Sequence, residues 1–347
     1  MKYSKIAAAL VLGMATFASA LDGDFSLKGN VQTQVVKSIA NDSTNIDEGW
    51  IRANVGGQYK GENLEALIML RIYAPEFGNK IGEKSYDKIL ADLYWANYKW
   101  KLGEKDMLNL KIGRWKTDWS QSTHFGTYVD KVLTKRGLWS RDYSHNALEL
   151  GWKHGLSQLN AMLAIQDGKA DHGYVRIEED MKFTFPLELK VAYRSNVLDV
   201  MQHTAYLTHR LAAYASYNII PELRAYGEYS CVYTQDDDLD KSAKNYLEPE
   251  EYYYMQGIYF QPFYLGLDFA PKSGILNMLM SNLMVEWEFI DKRDNLYKNN
   301  TKHTYDDWAW TVAWVKKIAS TKLQFSVYSA NEISDVAFAF RLTTTIK

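Results

Sequence analysis

Cysteine, long apolar runs and catalytic signatures are all scarce in this sequence, and each shortage narrows what the chain can be. Cys231 is the single cysteine, so no intrachain disulfide can hold the fold together. Beyond the first twenty residues no stretch approaches 18 uninterrupted apolar positions, which excludes helical membrane spans. Neither H-E-x-x-H nor G-x-S-x-G occurs. Charge of one sign is also lacking: the formal net charge is -2, or -4 once Lys2 and Lys5 are set aside. So small an excess points to neither nucleic acid nor an anionic surface as partner. No domain boundary, internal repeat or low-complexity linker interrupts the chain, and one folded unit is expected over residues 21–347.

The first residues read differently from the rest. Lys2 and Lys5 precede an apolar run from Ile6 to Phe17, followed by Ala18-Ser19-Ala20. A charged start, a short apolar segment and an A-x-A site make a secretory signal over residues 1–20. The run is shorter than the roughly 20 residues a membrane helix needs. The whole chain is rich in aromatics, with 25 Tyr, 13 Phe and 11 Trp, yet its mean hydropathy is only -0.35. That pairing suits a membrane β-barrel, whose strands show one face to lipid and one to water, with aromatic girdles at both interfaces.

Period-2 alternation recurs along the chain. Phe25, Leu27, Val31 and Val35 alternate with Lys28, Asn30, Gln32 and Gln34. Leu283, Val285, Trp287 and Phe289 alternate with Met284, Glu286 and Glu288, and Phe338, Phe340 and Leu342 with Arg341 and Thr343. Sandwiches alternate too, so the spacing of the segments carries more weight. Connections alternate long and short: Ser38–Glu48, then Lys60–Glu62; Ala74–Asp87, then Gly103–Asp106; Lys116–Tyr143, then Lys153–Gly155. The same parity continues to the C-terminus, as expected of a barrel with short periplasmic turns and longer outer loops. The count gives a closed antiparallel barrel of 16 strands. Two places resist. Gln261 to Asn282 is expected to be a periplasmic turn but is long, with a short helix over Gly274 to Asn282. In Ile89 to Lys101, the row Ile89, Leu93, Trp95 competes with Tyr94, Tyr98, Trp100 for the lipid face. The final strand closes on Ile346-Lys347, without the aromatic end common among outer-membrane barrels.

The run Leu108 to Trp115 (LNLKIGRW), the long loop with Asp130-Lys131, Arg141-Asp142, Ala147 to Gly155 (ALELGWKHG) and Leu159 to Gly168 (LNAMLAIQDG) resemble the phosphate-selective porin O and P type. The likeness covers Ile89 to Gly173 in order and spacing, and elsewhere only the barrel pattern. It implies a third outer loop folded into the lumen as a constriction, a homotrimer, and a bacterial outer-membrane location among lipids and lipopolysaccharide. The loop Lys116 to Tyr143 is the longest and carries Asp130, Lys131, Lys135, Arg136 and Arg141. Its basic excess predicts weak anion preference.

By strand parity Arg52, Arg210, Arg224, Glu286, Glu288 and Arg341 face the lumen, where the plain alternative to a solute-orienting field is ordinary solvation and cross-strand pairing. The run Asp236-Asp237-Asp238-Leu239-Asp240 reads as solvated charge rather than a calcium loop, since the EF-hand glycine is absent. Ser195 and His203 flank one loop only by nearness in sequence, and Tyr252–Tyr254 and Trp308/Trp310/Trp314 read as girdle. No enzyme, metal site or cofactor is expected. The function expected is passive diffusion of small hydrophilic solutes or anions. The rivals are a substrate-preferring channel and a non-conducting structural barrel.

Overall fold

The computed structural model describes residues 23–39, 48–73, 89–117, 144–165, 173–195, 197, 208–234, 261–291, 308–329 and 336–346. Sixteen strands account for nearly all of them. They are β1 (Gly23–Ser38), β2 (Glu48–Gly61), β3 (Leu64–Tyr73), β4 (Ile89–Lys101), β5 (Asp106–Lys116), β6 (Ser144–His154), β7 (Ser157–Ile165) and β8 (Gly173–Lys182). The second half holds β9 (Leu187–Ser195), β10 (Thr208–Ile220), β11 (Leu223–Thr234), β12 (Gln261–Phe269), β13 (Asn282–Asp291), β14 (Trp308–Ile318), β15 (Thr321–Ser329) and β16 (Val336–Ile346). Each strand pairs antiparallel with its neighbours in sequence, and β1 pairs with β16 from Gly29↔Ile346 to Ser38↔Ala337, which closes the ring. Closure removes every sheet edge, so each strand's backbone donors and acceptors are met by a neighbour.

The two faces have opposite chemistry. On β6, Leu148, Leu150 and Trp152 are exposed while His145 and Ala147, on the opposite row, are buried. The outer face elsewhere carries Ile112, Val191, Leu211, Leu265 and Phe340, all exposed. Tyr94, Tyr98, Trp100, Trp152, Tyr217 and Tyr229 are exposed aromatics on the same face. The inner rows hold Gln34, Asn54, Asn160, Arg176, Glu228, Glu286 and Gln324, all buried against neighbouring inner side chains. An apolar belt outside and a polar wall inside is the inverse of a soluble domain and the pattern of a barrel that crosses a membrane.

Three local features explain where simple alternation breaks. The β3–β4 register shifts between Met69↔Leu93 and Leu70↔Ala91, leaving Asp92 as the extra residue of a bulge. Before the bulge Ile89 pairs with the outward Ile72, and after it Tyr94, Tyr98 and Trp100 take the outer row. Of the two competing rows in this segment, the one with Tyr94, Tyr98 and Trp100 takes the outer face beyond Asp92. Leu93, opposite the buried Met69, and Trp95, packed against the inner cluster, lie inside. Secondly, Gly113 has φ +129, and a Cβ there would lie 2.2 Å from the Tyr94 carbonyl oxygen, so only glycine fits.

The third feature corrects the expectation for Gln261 to Asn282. Residues Gln261–Phe269 form β12, with Leu265 and Leu267 outside and Tyr264, Gly266 and Asp268 inside. Only residues 270–281 connect it to β13, through the helix α1 (Gly274–Leu279). Pro262 is the second residue of the strand, where a missing N–H is tolerated.

Candidate functional site: the inner wall of the barrel

Four groups of charged and aromatic side chains line the inner wall. The first joins both ends of the chain. Arg52 Nε donates to Gln32 Oε1 at 2.6 Å, and Arg341 donates to Gln34 Oε1 through Nε at 2.8 Å and also through Nη2. Both guanidinium groups lie over the Trp50 ring, at 4.3 Å and 5.5 Å from its centroid. Trp50 sits opposite Gln34, which in turn sits opposite Arg341, so the ladder itself assembles this cationic platform.

The second group arises at the bulge. Arg71 Nη2 donates to Asp92 Oδ2 at 2.7 Å, and its Nε reaches Asn54 Oδ1 at 3.3 Å. Nearer the short-turn end, Lys99 pairs with Glu65 at 2.8 Å.

The third group lies beneath the start of the longest connection. Thr117, only 2% exposed, shares a hydrogen bond with His145 Nδ1 and accepts one from the Tyr174 hydroxyl at 3.2 Å. Arg176 donates to the Thr117 carbonyl and pairs through Nε with Glu178 at 2.9 Å. Arg194 lies over the Tyr174 ring at 3.8 Å. Lys111 sits between the Trp95 and Trp115 rings, 4.8 Å and 4.4 Å from their centroids. These contacts hold the chain against the inside of the wall where it leaves β5.

The fourth group is acidic. Tyr226 donates to Glu286 Oε1 at 2.7 Å and Tyr264 donates to Glu228 Oε2 at 2.8 Å. Glu286 and Glu228 are 1% and 3% exposed, and the hydroxyl donors replace part of the hydration these carboxyl groups lose. Arg224 meets Asp268 at 3.3 Å and lies over Tyr226 at 5.1 Å. Gly266 lies in the ladder between Tyr226 and Glu286. A Cβ there would meet Tyr226 Cζ at 2.2 Å, so its bare backbone is what lets the tyrosine ring cross β12.

Of the residues singled out in the sequence, Arg52, Arg224, Glu286 and Arg341 therefore lie on the inner rows. For Arg210 and Glu288 the ladder position is defined, Arg210 opposite Arg194 and Glu288 opposite Tyr264. The loop candidates Asp130, Lys131, Lys135, Arg136 and Arg141 lie outside the described residues, as do the acidic run 236–240, Tyr252–Tyr254, His203 and the leader. Ser195, the other half of the Ser/His pair, ends β9. Trp310 and Trp314 alternate with the buried Thr311, Ala313 and Val315, which puts them on the outer face. Among the described residues no group of three or more His, Cys, Asp or Glu side chains could hold a metal ion. Sequence reasoning did not find Trp50, Asp92, Thr117, Tyr226 or Tyr264. Inner-row parity was the available signal for Trp50 and the two tyrosines, while the bulge hid Asp92.

The fold and this wall define a β-barrel of the sixteen-stranded transmembrane class, apolar outside and polar inside. No protein-family model and no curated protein matches the sequence. Solved structures do match in fold. Salmonella typhi OmpF, solved with daunomycin, superposes with a TM-score of 0.63 at 11% identity, over 93% of this chain and 98% of that one. The outer-membrane channel DcaP of Acinetobacter baumannii gives 0.58 at 10%, over 94% and 98%. A mutant of the Rh. blastica porin gives 0.54 at 11%, over 93% and 100%. At such identities the likeness carries the porin-type barrel and no particular selectivity.

Proposed function

We propose that this protein is an outer-membrane porin, a passive channel for small hydrophilic solutes and ions. The observation that carries the reading is the closed ring of sixteen strands with an apolar outer belt and a charged inner wall. Barrels of about 16–18 strands are wide enough to leave an aqueous path, whereas eight-stranded ones are filled by their own side chains. Arg52, Arg71, Arg224 and Arg341 on the inner rows are paired with carboxylates or amides, and Glu228 and Glu286 with tyrosine hydroxyls, so the wall presents charge whose fields are partly met by neighbours.

The third loop, with Asp130, Lys131, Lys135, Arg136 and Arg141, narrows that passage in this reading, and its basic excess gives weak anion preference. Arg176 and Arg194 on the wall below the loop's first residue support that placement. Arg52, Arg210, Arg224 and Arg341 act as cationic wall and Glu286 and Glu288 as anionic wall. The protein works as a homotrimer among outer-membrane phospholipids and lipopolysaccharide, as its resemblance implies. Phosphate preference would be a refinement of the same basic loop.

Liposome swelling tests the proposal. Vesicles carrying the refolded barrel should swell in isotonic arabinose and more slowly in larger sugars, with raffinose slowest. Swelling no faster than in barrel-free vesicles, from a barrel shown to be folded, would replace the channel by a closed structural barrel.

A further inference from the structure

The connection 270–281 is the outlier among the short-end turns, the others spanning two to four residues. Its helix α1 buries none of its residues. Ile275 is 74% exposed, Met278 75%, Leu279 58% and Leu276 47%. A six-residue helix is far below the roughly 12–15 residues that hold helical structure in water unaided. Ser273 supplies no side-chain cap, and neither end of the helix carries a charge that complements its dipole. Among the described residues nothing covers these four side chains.

The side of the wall on which α1 sits identifies what covers it. Lys316 lies on the outer row of β14, between Trp314 and the exposed Ile318, and its Nζ donates to the Asn277 carbonyl at 2.8 Å. Ser281 N donates to the Val315 carbonyl, and Ser281 Oγ accepts from Lys317 N. The helix is thus tied to the rim from the outer, membrane-facing side and continues the apolar belt of Leu267 and Ile318. Residues 270–281 contain no acid and include the exposed Lys272, with Lys316 of the outer row bonded to the helix. Four exposed apolar side chains flanked by two lysines and no acid match the boundary between acyl chains and anionic headgroups.

We propose that α1 is a membrane-interface anchor, laying Ile275, Leu276, Met278 and Leu279 into the periplasmic leaflet with Lys272 and Lys316 at anionic phospholipid headgroups. This rests on the barrel spanning a membrane and is indifferent to whether its lumen conducts.

The test uses the full chain with Cys231→Ala and Met278→Cys, labelled with an environment-sensitive fluorophore and refolded into phosphatidylcholine vesicles containing phosphatidylglycerol. The same label at Glu104, in a short turn, serves as the aqueous reference. At position 278 the label should be blue-shifted, shielded from iodide and quenched by brominated lipid. Brominated phosphatidylglycerol should be favoured over brominated phosphatidylcholine at equal mole fraction, and Lys272→Gln should cut that preference by about fivefold, as expected for one lysine near a charged surface. A label that iodide quenches as freely as at Glu104 would overturn the anchor. So would one shielded from both iodide and lipid quenchers, because a protein partner or a second copy would then cover the helix. Equal quenching by the two lipids would remove the headgroup part.

Discussion

Gly266 is a position where the wall leaves no room for a single methyl group. Its Cβ would lie 2.2 Å from Tyr226 Cζ, inside any real carbon contact, and the ring spans β12 to reach Glu286 at 2.7 Å. Gly266→Ala therefore forces the ring aside and breaks a hydrogen bond to a carboxylate only 1% exposed. Bonds to charged groups contribute roughly 1.5–3 kcal/mol, so a loss of about 2 kcal/mol is expected. Tyr226→Phe keeps the ring and removes only the hydroxyl, and its cost should be similar. Because both changes break one bond, the double variant should stay within about 0.5 kcal/mol of Gly266→Ala alone. Urea titration of the barrel in phospholipid vesicles, followed by tryptophan fluorescence, measures all three. Gly266→Ala at wild-type stability, or a double variant equal to the sum of the singles, would refute the reasoning.

Other positions test other links. Gly113→Ala should lower stability by about 1–3 kcal/mol in the same titration, because its φ of +129 and the Tyr94 carbonyl leave no room for relaxation. Leu150→Arg, on the outer belt, should cost about 2–4 kcal/mol, whereas Gln58→Arg on the inner row should stay within about 1 kcal/mol of wild type. Equal costs would mean that the two faces are misassigned. Arg71→Met and Asp92→Asn should each destabilise by roughly 1.5–3 kcal/mol and should be non-additive, since each leaves the same ion pair broken.

Much of this barrel is legible in the sequence because a transmembrane strand must alternate and a barrel must sort its connections by side. The long connections expected at 38–48, 74–87, 116–143 and 292–306 all fall between the observed strands. Parity also puts Arg52, Arg224, Glu286 and Arg341 on the rows they occupy. What parity cannot see is geometry across strands. Asp92 inverts the alternation within β4 through a register shift that depends on β3. The bond from Tyr226 to Glu286 joins residues sixty apart, and it exists only because an intervening glycine has no side chain. The burial of Thr117 comes from β6 and β8, which strand pairing and the curvature of the wall bring to it rather than any local pattern. β12 escapes a sequence reading because Pro262 and the tyrosines before it obscure a short alternating run.

The most direct test of the central proposal is electrical. The refolded chain should be added to a planar bilayer under a potassium chloride gradient, and single-channel steps and zero-current potential recorded. A porin with a basic constriction should give long-lived stepwise openings and a potential of the sign for chloride preference, weakened by Lys131→Glu with Arg136→Glu. A folded barrel that inserts and never conducts would contradict the channel. A conducting barrel whose potential ignores those two charges would keep the channel and remove the constriction assigned to that loop.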